Sequence, residues 1–255
     1  MKLFHLFITA SVLLTACGGV NEADFKSQIP ESSPIKEVET DDDIVLEADP
    51  AKPLKNLDDM MEVEVELPDQ INLTASFFSQ APDGDWSQPW QDACEETSLL
   101  IAHYSMMDEP LSKEMLKKQV LEMVDWQVET FGYYESTTVE QVAELYEGYF
   151  EDSLNFRIID SPTVDDLKQE LATGNLIVAP FAGQMLGNPF YSGEGPYYHM
   201  MVLKGYDNTH FITHDVGTRH GENFIYTHDA IMNAMHDYAQ TNIQAQPARV
   251  IVLEN

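Results

Sequence analysis

A chain of 255 residues carries 13 Lys and Arg against 44 Asp and Glu, a formal net charge of -31. So negative a surface argues against nucleic acid and anionic lipid headgroups as partners. It reads as a solubilising surface that a salty external medium would screen. Of the 2 Cys, Cys17 and Cys94, each has its own explanation, so Cys94 has no disulfide partner within the chain.

Lys2 opens a short positive region, and a mostly apolar run follows over 3–14. Spanning a bilayer takes roughly 20 apolar residues, so this run is too short and reads as a secretory signal over 1–16. Leu14-Thr15-Ala16-Cys17 resembles the lipobox of bacterial lipoproteins, which implies cleavage before Cys17 and a lipid on its thiol. Gly18 follows rather than Asp, which in such lipoproteins leans towards the outer membrane, facing the periplasm or the exterior, if the cell has one.

Residues 17–69 read as the lipid-attachment Cys and a disordered tether. They are rich in Asp and Glu and poor in aromatics, so they cannot bury enough apolar surface to fold alone. Within them Glu62-Val63-Glu64-Val65-Glu66-Leu67 alternates, and reads either as a short strand or as more acidic linker.

From 70 to 255 the chain is long enough for one domain with a real core. A helix is predicted over 94–104, with Leu99, Leu100 and Ala102 inward and Asp92 able to cap its start. Pro110 stops the stretch beyond it. Helical periodicity continues over 112–124. A third helix spans 137–146, where Thr137 and Glu140 have capping-box spacing. A fourth spans 163–171, with Gly174 as its stop. Apolar strands follow at 175–180, 199–205, 211–214 and 223–226. A helix is predicted over 229–238, and a closing strand over 249–253. Helices first and an antiparallel sheet later predict an α+β fold.

Cys94 stands where a loop runs into an apolar helix, with a His in a strand far downstream. That is the pattern of a thiol nucleophile. The reacting species is the thiolate, and a free Cys has a pKa of about 8.5. A helix start favours the anion, but Glu95 and Glu96 oppose it. An imidazolium must offset them, and His199 is the best candidate. Asp215, just after the next strand, is the best candidate to orient that imidazole through its other nitrogen.

Three blocks together resemble the bacterial C39-like cysteine peptidases. They are Ser79-Gln80-Ala81-Pro82 with Trp86 and Ala93-Cys94-Glu95-Glu96-Thr97-Ser98-Leu99-Leu100, then Tyr198-His199-Met200-Met201-Val202-Leu203-Lys204-Gly205, and finally His214-Asp215-Val216-Gly217-Thr218. The match covers essentially residues 70–255. It implies a papain-like fold, with N-terminal helices packed on an antiparallel sheet. It also implies Cys94 as nucleophile, His199 as general base and Asp215 as orienting residue. Val216 replaces the Pro usual between that Asp and Gly, which should loosen the turn without removing the carboxylate. A Gln side chain helps bind the oxyanion in such enzymes. Gln80 matches the family block, Gln88 has the spacing seen in papain, and Gln91 is a more remote third.

The resemblance implies a peptide or protein substrate and chemistry that needs no cofactor. Water and an amine attack the same thioester, so amide hydrolysis and acyl transfer both stay open. A non-catalytic peptide-binding module would not need the intact Cys, His and Asp. His210, His214, His220 and His228 match no compact ligand motif, and read as surface or turn residues rather than a metal site. Trp126 reads as core, while Trp86 and Trp90 fit core or cleft equally. Gly183, Gly187, Gly193 and Gly195, with Pro189, Tyr197 and Tyr198, mark a loop before His199 that is either a lid or a plain connection.

Overall fold

The computed structural model describes residues 29–34, 67–150 and 154–254. The signal segment, Cys17 and the alternating stretch up to Glu66 lie outside the described residues. Ser33, which falls in the expected tether, lies along the start of the domain. Its N–H donates to the Asn72 carbonyl at 2.6 Å, and its carbonyl accepts from Thr74 N–H at 2.7 Å.

Helices come first. α1 (Cys94–Met106), α2 (Lys113–Phe131) and α3 (Val139–Tyr149) precede most of the sheet, and α4 (Val164–Ala172) and α5 (His228–Ala234) are interspersed with it. The strands are β1 (Ile71–Asn72), β2 (Phe156–Asp160), β3 (Leu176–Phe181), β4 (His199–Tyr206), β5 (His210–His214), β6 (Phe224–Thr227) and β7 (Arg249–Leu253). Their order is β2-β7-β3-β4-β5-β6, with β1 pairing β4. Every pairing is antiparallel. The α+β architecture predicted from the sequence is the one found.

α1 is the central element. Leu99, Leu100, Ile101 and Ala102 run consecutively and all are fully buried. A helix apolar on all sides belongs inside a core, and each such side chain contributes roughly 1.5–3 kcal/mol by leaving water. Ser98 pins α1 to the sheet, its hydroxyl donating to the Met200 carbonyl at 3.2 Å. The start of α1 is therefore held directly against the start of β4.

Local details depart from the sequence expectation for definite reasons. Asp92 does not cap α1. Ala93 occupies that position without a side-chain bond, and the Asp92 carboxylate accepts instead from Gln88 Nε2 at 2.5 Å. The capping box of α3 is Thr138 with Gln141, one residue later than predicted, because Glu95 takes the N–H and hydroxyl of Thr137. Thr163 does cap α4, paired with Asp166, and Gly174 follows at φ 94°. α2 runs on to Phe131 and ends at Gly132 in the left-handed region, φ 84°. α5 ends at Ala234, short of the predicted 238. There the Ala234 carbonyl accepts from Ala182 N–H at 2.8 Å, and Met235 turns extended to bridge Phe181.

Candidate active site

Five separate parts of the chain converge on one cavity of about 790 Å³, Glu135 and Ser136 before α3 and Tyr238 and Gln240 after α5 completing its lining. The segment before α1 supplies Gln80, Trp86 and Gln91, and the first residue of α1 supplies Cys94. The β3–β4 loop and the head of β4 supply Phe190, Tyr191, Tyr197, Tyr198 and His199. The turn after β5 supplies Gly217, Thr218, Arg219 and His220. Antiparallel pairing of β4 with β5 sets Val202 opposite His214, which brings the residue after His214 towards the head of β4.

That residue is Asp215. Its Oδ1 accepts from His199 Nε2 at 2.8 Å and from Gly217 N–H at 3.0 Å. Its Oδ2 accepts from Asn188 Nδ2 at 2.8 Å, Tyr191 hydroxyl at 2.8 Å and Tyr226 hydroxyl at 2.5 Å. Burial works against this charge, but His199 and the Tyr226 and Tyr191 hydroxyls outweigh it and hold the carboxyl below its ordinary value. Asp215 is 0% exposed and His199 2%, so the pair is shielded from water. Bonding through Nε2 leaves Nδ1 of His199 as the nitrogen for a reacting proton.

Cys94 opens α1 and is 5% exposed. Its thiol donates to Glu95 Oε2 at 2.9 Å. Burial pushes the thiol well above its ordinary value, and the Glu95 carboxylate pushes it further, while a backbone hydrogen bond from Met200 opposes both. The opposition expected from Glu95 and Glu96 is thus present in the structure. Glu95 is itself raised to about 7 by burial, and Glu96 well above its ordinary value by burial and then by Glu95.

The three glutamines separate. Gln80 is buried and lines the cavity. Its Nε2 donates to the carbonyls of Trp90 at 3.0 Å and Gln91 at 2.8 Å, and its Oε1 has no partner. Gln91 meets the cavity and offers that carbonyl. Gln88 is outside the lining, held between Asp92 and the Tyr134 hydroxyl at 3.0 Å.

Trp86 is 42% exposed and lines the cavity, whereas Trp90 and Trp126 pack on the core. Among the described residues, no three His, Cys, Asp or Glu gather as metal ligands. His214 is not the surface or turn residue predicted. It is 1% exposed, donates from Nε2 to the Ala75 carbonyl at 3.1 Å, and accepts from Asn223 N–H at 3.2 Å. It ends an interior strand, and burial lowers its pKa to about 3. The β3–β4 loop is a wall of the cavity, tied down by Asn188 and Tyr191 on Asp215 and by Tyr197 on the Ala239 carbonyl at 3.1 Å. Sequence reasoning missed Asn188, Tyr191, Tyr226 and Thr137, since no spacing in the chain marks residues that meet only across the fold.

The model of the Peptidase_C39 like family matches residues 72–246. A crystal structure described as a C39-like peptidase from Bacillus anthracis aligns with 74% of this chain and 98% of its own, at 12% identity and a TM-score of 0.51. At that identity the likeness is one of fold. Xylellain, a cysteine protease from Xylella fastidiosa, aligns with 74% of this chain and 87% of its own, at 14% identity and a TM-score of 0.34. No curated protein matches the chain.

Proposed function

Because this chain belongs to the Peptidase_C39 like family, we propose that it is a cysteine peptidase in which Cys94, His199 and Asp215 form the catalytic triad. The observation that carries this reading is the His199 Nε2 bond to Asp215 Oδ1 at 2.8 Å, made on the wall of a cavity that Cys94 shares. Asp215 fixes the imidazole and its tautomer, and His199 takes the Cys94 proton as general base. The thiolate attacks the amide carbonyl carbon. As the C–N bond breaks, the imidazolium gives its proton to the leaving amine, and a thioester remains. Water, deprotonated by His199, then cleaves the thioester and releases the acid. The Cys94 backbone N–H at the start of α1 serves as one oxyanion donor. Gln80 is the favoured second donor, since it lines the cavity and Gln88 does not; its amide must first turn from the Trp90 and Gln91 carbonyls.

The proposal extends to location. Cys17 carries a lipid, the acidic segment up to residue 69 spaces the domain from the membrane, and the substrate is a peptide or protein in the cell envelope. Among the described residues no helix is long and apolar enough to cross a membrane.

The test is labelling with a thiol-directed peptidase inhibitor, read by mass spectrometry, alongside cleavage of a peptide library. Cys94 should react faster than free cysteine at neutral pH, and Cys94→Ala should lose both label and cleavage. Ordinary thiol reactivity with no Cys94-dependent cleavage sinks the reading. Product analysis with added amine separates hydrolysis from acyl transfer. Cys17→Ala should move the protein out of the membrane fraction.

A further inference from the structure

Glu95 touches the sulfur that the reaction uses. Its two oxygens are not equivalent. Oε1 accepts from Thr137 N–H at 3.1 Å and from Thr137 hydroxyl at 3.3 Å, so it is engaged as an acceptor. Oε2 faces Cys94 Sγ at 2.9 Å. A proton on this carboxyl therefore belongs on Oε2, and it points at the sulfur. Thr137 is braced in turn, its carbonyl accepting from the Tyr198 hydroxyl at 3.1 Å. The contacts thus form a chain from the nucleophile through Glu95 and Thr137 to Tyr198, the residue before His199.

We propose that Glu95 is a further catalytic residue, which works as a neutral acid donating its O–H to the Cys94 thiolate. The proposal rests on the cysteine peptidase reading above. The same contact serves two proton positions, S–H to carboxylate and thiolate to O–H. In the first, the carboxylate opposes catalysis. In the second, the group that repels the thiolate has become its donor. The proton on Glu95 is not consumed. With Glu95 already protonated, His199 takes the Cys94 proton, the thiolate attacks, the imidazolium gives that proton to the leaving amine, and the Glu95 O–H meets the thiolate again when water, deprotonated by His199, cleaves the thioester.

The surroundings favour the neutral acid. Glu95 is fully buried, and burial raises its pKa to about 7. The groups whose fields meet it are Cys94 and Glu96 on α1, Tyr198 before β4 and Tyr238 after α5. Thr137 faces it from the segment before α3 with neutral donors, whose bonds, like the one from Cys94, pull its pKa down without outweighing burial, and Asp92 adds negative charge at Glu96. Glu95 and Cys94 titrate as a pair, so the pH dependence belongs to both.

The test follows the ultraviolet absorbance of the Cys94 thiolate against pH in the full-length chain, with Cys94→Ala as the blank. Glu95→Gln keeps an acceptor for Thr137 and offers a permanent N–H donor to the sulfur. Glu95→Ala removes both charge and donor. Because the Glu95 O–H already stabilises the thiolate in the unmodified chain, Glu95→Gln, which keeps a donor, should titrate close to it, and Glu95→Ala should form thiolate only at higher pH, by about one unit or more. If both variants titrate well below the unmodified chain, Glu95 is only a repelling charge and the proposal is overturned. Should either variant fail to fold, Thr137→Val tests the same point. It takes one donor from the carboxylate, so Glu95 keeps its proton longer and the thiolate titration moves down; an unmoved titration overturns the proposal. The readout does not need hydrolysis. Absent cleavage with the Gln-before-Ala order intact would sink the peptidase reading and leave the role of Glu95 standing.

Discussion

A Cβ on Gly217 would lie 2.8 Å from Cε1 of His199 and 3.2 Å from Oδ1 of Asp215. The missing side chain is the space in which the imidazole sits. Gly217 also donates its N–H to the same carboxylate oxygen that holds His199. The turn after β5 therefore shapes the site twice, once by a hydrogen bond and once by an absence.

Gly217→Ala should displace the His199 ring by a fraction of an ångström to an ångström. A misplacement of that size can cost about a hundredfold in rate. Its backbone is not in the left-handed region, so thermal stability should fall little. Peptide cleavage and a melting curve measured together check this, and a fully active Gly217→Ala would contradict it. Gly221→Ala is the contrast. Its Cβ would lie 1.8 Å from the Asp215 carbonyl oxygen, so that variant should lose stability as well as activity.

Tyr226→Phe and Tyr191→Phe each remove one donor from Asp215 Oδ2. Hydrogen bonds to charged groups contribute roughly 1.5–3 kcal/mol, so kcat/KM should drop about tenfold or more for each. The direction with pH follows from the carboxyl. Its folded pKa is held below the ordinary 3.8, so this stabilisation is present above that value and is lost as pH falls through the folded pKa. Removing a donor raises the folded pKa, and the acid limbs of activity and stability should move to higher pH. Profiles that fall in height without moving would show that the hydroxyls only pack.

Glu95 has the opposite sign. Its carboxyl titrates near 4.5 when unfolded and near 7 when folded. Between those values the native state holds a proton that the unfolded chain has lost, so stability falls as pH rises through that window. Glu95 pulls the melting temperature of the unmodified chain down from about pH 4.5 to 7, while His103 and His214, lowered by burial to about 4 and about 3, pull it up as pH rises towards 6.5. Glu95→Gln should gain melting temperature relative to the unmodified chain as pH rises through that window. Glu96, also raised by burial, acts in the same direction as Glu95.

Thr138→Ala and Thr163→Ala each delete a capping hydroxyl, and each should cost about 1 kcal/mol of stability. Thr137→Ala, one residue before the α3 cap, should behave differently. It removes a donor to Glu95, so its effect should appear in the titration of Cys94 more than in capping of α3. Denaturant unfolding and thiol titration of the three variants separate these outcomes.

The sequence by itself determined most elements and the candidate triad. Helical periodicity located α2 and α4, the apolar run at β4 and the closing strand β7 were legible, and Thr163 marked its helix start. An unpaired Cys at a helix mouth, a His heading a strand and an Asp after the next strand are local signals, readable along the chain. Other features were decided only in three dimensions. β1 is 2 residues long, too short for any period to show. His199 and His214 both sit at strand ends, yet one faces Asp215 and the other the Ala75 carbonyl, a difference made by neighbours far off in sequence. Asn188, Tyr191 and Tyr226 become partners of Asp215 only when the β3–β4 loop and β6 close around it. The same closure decides Glu95. In the sequence it is a charge opposing Cys94; in the fold, burial and Thr137 fix which oxygen meets the sulfur. Local patterns encode propensity and period, but burial and side-chain partners depend on contacts that exist only once the chain has closed on itself.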